Sequence, residues 1–504
     1  YEYFKILDER NNNPICKVIK TRSIKRLEDM DNQSISKNAV SLGFDKDKTF
    51  YWAEVLIEKE LKTSLNPDSI AIKTTEQETY DYLYSGDSKN SLILGEIRGT
   101  EHVYENLEEN TYKNILMMCD SKKQPISQKC LPMIFDYKKL QESPNIGIFG
   151  NSGSGKTFAL KSFIEELILK NIPTIIFDPH NEFDFSNPYE GLPDKFKYDF
   201  GKYVETFTAG TDFGLRFTDL SNDDFKRFLE NTTSLTDPQS LAIESIRESA
   251  DSFEAFKNKI STLANAKQKA ERSAKESEFL PSEKGLLSQY GKNISSSIVL
   301  FALNAKLDSY SRKNFFNKNY DCIINALKNR KVVVIRGDYN IVTPMMSIIL
   351  NDLWKKRKLY KDGEIEEEYP PIITILDEAH LYAPKDMNIK APLKNTLIDI
   401  SREGRKYGMF LICATQRISE LNNTVLSQMS TKIILKTSQE SDKFIIQKEC
   451  GLNEAENNRL HMLDSGHGYI ISPILKTKTA LAFKARCNYS KPKITINAFD
   501  ELNT

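Results

Sequence analysis

Apolar residues over the first 130 positions come in short runs broken by charge and asparagine, as in NPICKVIKT (13–21) and SLILGEI (91–97). Such runs predict a small, β-rich amino-terminal unit over residues 1–130. From Asn145 the spacing changes. NIGIFG (145–150) is a short apolar strand, and TFALKSFIEELILK (157–170) sets Phe163, Ile164, Leu167 and Ile168 on one helix face before a second strand, TIIFD (174–178). This strand-loop-helix-strand order opens a parallel sheet. KVVVIRG (331–337), IITILDE (372–378), MFLICATQ (409–416) and TKIILKT (431–437) continue it, with runs suited to strands buried on both faces. Residues 219–328 read as a helical insertion. Within it Ile243, Ile246, Ala250, Phe253, Phe256, Ile260 and Leu263 recur at three- or four-residue steps and predict one apolar helix face. The expected organisation is an α/β P-loop core of mainly parallel sheet over 131–218 and 329–485, interrupted by that insertion, with a polar tail over 486–504 that reaches a neighbour or frays.

Composition narrows this little. A chain of 504 residues with 39% hydrophobic content fills two or three domains. Its 70 basic and 70 acidic residues cancel, so any polyanion contact is a local basic stripe rather than a global field. No run approaches the 18 apolar residues of a membrane span, and the opening YEYFKILDER has no signal pattern, so a cytoplasmic protein without a membrane partner is expected. Seven scattered cysteines (16, 119, 130, 322, 413, 450 and 487), never in CxxC spacing, read as free thiols.

The chemistry is concentrated at strand ends. GNSGSGKT (Gly150, Asn151, Ser152, Gly153, Ser154, Gly155, Lys156, Thr157), followed by Phe158, fits G-x-x-x-x-G-K-[ST] between a strand and a helix. Its glycines let backbone N–H groups curl around phosphates, Lys156 reaches the outer ones, and the Thr157 hydroxyl is a Mg²⁺ ligand. ATP with Mg²⁺ is the expected ligand. IITILDEAH brings Asp377 to the end of a buried strand, where it can hold Mg²⁺ through water while Glu378 polarises the attacking water. DEAH also names a helicase superfamily whose other motifs are not apparent here, and His380 is left without a role. Asp178, in IIFDPHNEF with His180 and Glu182, is either a catalytic or metal-orienting carboxylate or a turn residue. Gln416 in CATQR suits a sensor of the γ-phosphate or the catalytic water. LYAPKDMNIKAPLKN carries Lys385, Lys390 and Lys394, a DNA-contacting set or a solvated loop. In SREGRKYG, Arg402 and Arg405 lie three apart near the end of a helix closed by Gly408, with Leu393, Leu397, Ile398 and Ile400 as its apolar contacts.

Taken together, GNSGSGKT, IIFDPHNEF, LDEAHLYAP, SREGRKYG, ATQR and HMLDSGHGYI resemble the HerA branch of the HerA/FtsK hexameric ATPases over about residues 130–485. That resemblance implies a RecA-like core, a small amino-terminal barrel, a homohexameric ring and ATP-driven DNA translocation or unwinding. It also implies a partner nuclease or other effector, for example a sirtuin-type NADase in anti-phage defence. In a cyclic ring, Arg402 or Arg405 can serve the neighbouring subunit's nucleotide; helix capping is the alternative. A different class of function, an ATP-regulated scaffold that assembles and activates an effector without substantial unwinding, rests on the same ATP site.

Overall fold

The computed structural model describes residues 3–24, 50–57, 60–83, 91–106, 115–118, 124–311, 315–477 and 479–491. Its centre is an eleven-stranded sheet, in the order Val204–Thr208, Val332–Arg336, Thr174–Phe177, Ile372–Leu376, Met409–Thr415, Ile146–Phe149, Thr431–Leu435, His467–Ile471, Leu481–Ala485, Ser91–Ile97, Pro132–Asp136. The first seven run parallel. The last four are antiparallel. The phosphate-loop strand Ile146–Phe149 and the Asp-Glu strand Ile372–Leu376 flank Met409–Thr415, so the ends of all three meet at one point of the sheet edge. That arrangement is RecA-like, and every strand read from the apolar runs between 145 and 437 is present.

Both sheet faces are covered. Ile148, Leu160, Phe163, Ile164, Leu167 and Ile168 are buried to within 1% on one side, which ties the helix Lys156–Leu169 to the sheet by about 1.5–3 kcal/mol per side chain. On the other side the insertion packs an aromatic cluster of Phe217, Phe225, Phe253, Phe256 and Phe316. The apolar face expected as one helix is divided between two, Asp237–Ile246 and Phe253–Glu271. Ser252 caps the second by accepting from the Ala255 N–H, and Arg247 turns back to the carbonyls of Phe217 and Leu220 (2.6 Å each). Ala250 is therefore exposed in the turn rather than part of the face.

Two further expectations are revised. SLILGEI, assigned by position to the amino-terminal unit, pairs with Leu481–Ala485 inside the large sheet. The β-rich amino-terminal residues form a separate antiparallel sheet ordered Phe50–Ile57, Ile15–Ile24, Tyr3–Ile6, Ala71–Lys73. Buried Lys17 joins the two sheets by donating to the Ala480 carbonyl at 2.5 Å. Nor does the chain fray after Ala485. Arg486, Cys487, Asn488, Tyr489 and Ser490 are at most 4% exposed, because Arg486 enters an ion pair with Glu165 and Glu166 of the phosphate-loop helix. The remainder of the expected tail, 492–504, lies outside the described residues, as does Cys119. The other six cysteines are unpaired. Among the described residues no helix is long and apolar enough to cross a membrane.

Candidate nucleotide site

Gly150 leaves its strand with its N–H on the Thr415 carbonyl (3.3 Å), and Asn151 N–H bonds Lys436 O (2.9 Å), so the loop is held by the strands on either side. Gly153 and Gly155 have positive φ (75° and 89°). At Gly155 a Cβ would lie 2.6 Å from the Gly466 nitrogen, so both the backbone angle and the space require glycine. Gly466, from the HMLDSGHGYI motif to which no role was assigned, donates its N–H to Ser154 O at 2.8 Å and buttresses the loop from behind. Its two glycines were the available signal. Gly155 then opens the helix Lys156–Leu169, whose first N–H groups and dipole face the loop's hollow, the arrangement that accepts phosphate oxygens.

Lys156 is 7% exposed, and its Nζ donates to Asp377 Oδ1 and, at 2.7 Å, to Glu378 Oε1. Burial works against the ammonium, but the two carboxylates more than offset it and raise its pKa above the ordinary lysine value. Glu378 adopts left-handed backbone (φ 52°, ψ 48°), which a glutamate takes up only where its surroundings hold it. Its Oε2 accepts from the Gln416 N–H (3.3 Å) and stands 3.4 Å from His380 Nδ1. His380, buried and held below the ordinary histidine pKa by that burial, also meets Thr415 Oγ1 at 2.8 Å. The loop lysine, the Asp-Glu pair and Gln416 thus converge, and His380 with Thr415 backs the glutamate.

Asp178 has a different position. It is 2% exposed, and its carboxylate accepts from the N–H groups of Glu182 (2.7 Å) and Phe183 (3.2 Å) and from Arg336 Nε (3.3 Å). Burial pushes its pKa up, against those hydrogen bonds. Both oxygens are employed in shaping the turn 178–183. That turn carries Glu182 towards the site, where loss of solvent and then the charge of Asp377 push its carboxyl upward.

Thr157, in the first turn of the phosphate-loop helix, and Asp377, after the Asp-Glu strand, are hard oxygen donors, the type of set that holds Mg²⁺ together with phosphate oxygens. Among the described residues no three His, Cys, Asp or Glu side chains form a metal cage.

The lysine candidates follow the Asp-Glu strand on a loop that runs into the helix Lys394–Tyr407, and the arginine candidates lie on that helix. Lys385 and Lys390 are exposed on the loop after the Asp-Glu strand, while Lys394 turns back to Asp386 O (3.3 Å). Helix Lys394–Tyr407 buries Leu397, Ile400 and Gly404, and a Cβ on Gly404 would strike Met409 O at 2.1 Å, so the glycine permits close packing on the central strand. Arg402 and Arg405 occupy the opposite, exposed face. Arg402 makes no hydrogen bond or ion pair among the described residues, and Arg405 reaches only Glu142 O (3.4 Å).

Residues 124–349 match the family model described as "Helicase HerA, central domain". The DNA double-strand break repair helicase HerA of Sulfolobus acidocaldarius is 32% identical over 183 residues, 34% of this chain and 36% of that protein. The protein of the same name from Saccharolobus solfataricus is 32% identical over 189 residues, 37% of each. The chain thus spans about a third of the length of the curated relatives it matches. Among solved structures, the plasmid coupling protein TrwB in complex with a non-hydrolysable ATP analogue aligns with 81% of this chain and 99% of its own, at TM-score 0.43 and 12% identity.

Proposed function

From the match of residues 124–349 to the HerA helicase central-domain family model, we propose that this chain is an ATP hydrolase that uses Mg²⁺ and translocates on or unwinds DNA. The observation that carries it is the convergence of Lys156, Asp377, Glu378 and Gln416 at the ends of three neighbouring strands. The loop N–H groups and Lys156 bind and orient the β- and γ-phosphates. Thr157 and Asp377 hold Mg²⁺, which supplies charge neutralisation when bound. Once Lys156 turns from Glu378 to the phosphates, Oε1 is free to take a proton from the attacking water, while Oε2 stays anchored on Gln416 N–H. The Gln416 side chain senses the γ-phosphate, and Asp178 shapes the turn that brings Glu182 in.

The relatives' name, a double-strand break repair helicase, supports DNA as the substrate. The exposed Lys385 and Lys390, with Lys394 bracing their loop, are its proposed contact. A homohexameric cytoplasmic ring, working with a nuclease or another effector enzyme, completes the reading. The deciding experiment is steady-state ATP hydrolysis with and without DNA, beside Lys156→Ala. DNA-stimulated turnover that the substitution abolishes is expected. Turnover indifferent to DNA but required for activation of a co-purifying enzyme would replace the motor with a scaffold.

A further inference from the structure

The amino ends of the strands Ile372–Leu376 and Met409–Thr415 lie about 20 Å of strand away from the phosphate loop. A cavity of about 490 Å³ opens there, walled by Tyr137, Tyr360, Lys361, Glu368, Lys406 and Phe410, with Arg357 and Gly408 also lining it. Arg357 is 4% exposed. Its Nε and Nη1 donate to the carbonyls of Tyr407 and Tyr369, neutral acceptors, and the charge of Glu368 reaches the guanidinium only through space. No carboxylate forms an ion pair with it among the described residues. A Cβ on Gly408 would lie 2.8 Å from Nη2, so the glycine leaves that nitrogen its room. Lys138, Lys361 and Lys406, all exposed and free of ion pairs among the described residues, ring the mouth against a single acid, Glu368.

A buried cation with no ion-paired carboxylate is expensive unless an anion completes it. The rim explains how such an anion is attracted, and the aromatic lining of Tyr137, Tyr360 and Phe410 explains what else it carries. A second cavity of about 630 Å³ shares Tyr137, Glu368, Pro371 and Phe410 with the first, so room for a flat group continues past the charged end. We propose that this is a second ligand site, apart from the phosphate loop, for a sugar phosphate monoester that carries a flat aromatic base, that is, a free mononucleotide.

AMP is the probe, titrated calorimetrically into the Lys156→Ala protein so that the phosphate loop contributes little. Binding is read as heat and stands apart from any reading of hydrolysis. One AMP per chain is expected, with Kd below about 1 mM and tighter than inorganic phosphate. Because Arg357 also caps a helix and its loss can unfold the chain, the test uses Lys138→Glu/Lys361→Glu/Lys406→Glu, which alters only exposed side chains. This variant should weaken AMP at least about tenfold with its thermal transition unchanged. No saturable heat at millimolar AMP, equal affinity in the triple variant, or binding only of a 5′-phosphorylated oligonucleotide would overturn the proposal. So would binding that appears solely on subunit association, since the nucleotide of a neighbouring copy would then explain it.

Discussion

Glu378 has strained, left-handed backbone, and its two oxygens have unlike partners: a lysine that nucleotide can draw away and a backbone N–H that stays. Left-handed backbone at a non-glycine residue costs on the order of 1–3 kcal/mol, and here it aims the carboxylate at the loop rather than along the strand. An amide fills the same space and can still accept from Gln416 N–H, yet cannot take a proton. Glu378→Gln is therefore expected to keep nucleotide affinity while hydrolysis falls by a factor of roughly 10²–10⁴. Fluorescent-nucleotide titration beside phosphate release would show the split. Lost affinity would mean that Glu378 supports the loop rather than the chemistry.

At the scale of elements, the helix Lys156–Leu169 is held on its far side by the segment after Ala485. Arg486 Nη1 and Nη2 meet Glu165 (3.0 Å) and Glu166 (3.1 Å), while Tyr489 and Ser490 give their N–H groups to Glu165 at 2.9 and 2.8 Å. Breaking one partner of so buried a pair leaves carboxylates uncompensated. Arg486→Met should cost about 3–5 kcal/mol, visible as a lowered unfolding midpoint in urea. An unchanged midpoint would refute the account. This contact also marks where the sequence stopped being legible. Strands buried on both faces announce themselves by composition, and a phosphate loop by its glycines, because local geometry dictates both. Polarity after Ala485 suggests a tail that reaches a neighbour or frays, since nothing local reveals that Arg486 finds its acids more than 300 positions away. SLILGEI was misplaced for the same reason: its partner Leu481–Ala485 is nearly 400 residues distant. At the site, Lys156, Asp377, Glu378 and Gln416 were readable from motif and strand end, whereas the turn-shaping work of Asp178 depends on where Arg336 and Phe183 arrive.

For the whole molecule, the decisive feature is where Arg402 and Arg405 are not. They sit near the amino end of the strand Met409–Thr415, whereas Gln416 follows its carboxyl end, so about 20 Å of strand separates them from their own chain's nucleotide loop. Among the described residues neither arginine is held by an acid. Arginines of this kind can serve a phosphate only on another copy, and a cyclic assembly offers that copy because each of its interfaces joins unlike faces. The charge that develops on the γ-phosphate during transfer is what such an arginine stabilises, at a worth of roughly 10³–10⁵ in rate. Lys156→Ala protein retains good arginines, and Arg402→Ala/Arg405→Ala protein retains a good loop, so each should be inactive alone. Mixed under conditions where subunits exchange, they should regain part of the ATPase activity at interfaces that pair one intact half with the other. A mixture that stays inactive despite demonstrated exchange, or a double arginine variant that hydrolyses ATP normally, would leave these arginines as the polar end of a helix and nothing more.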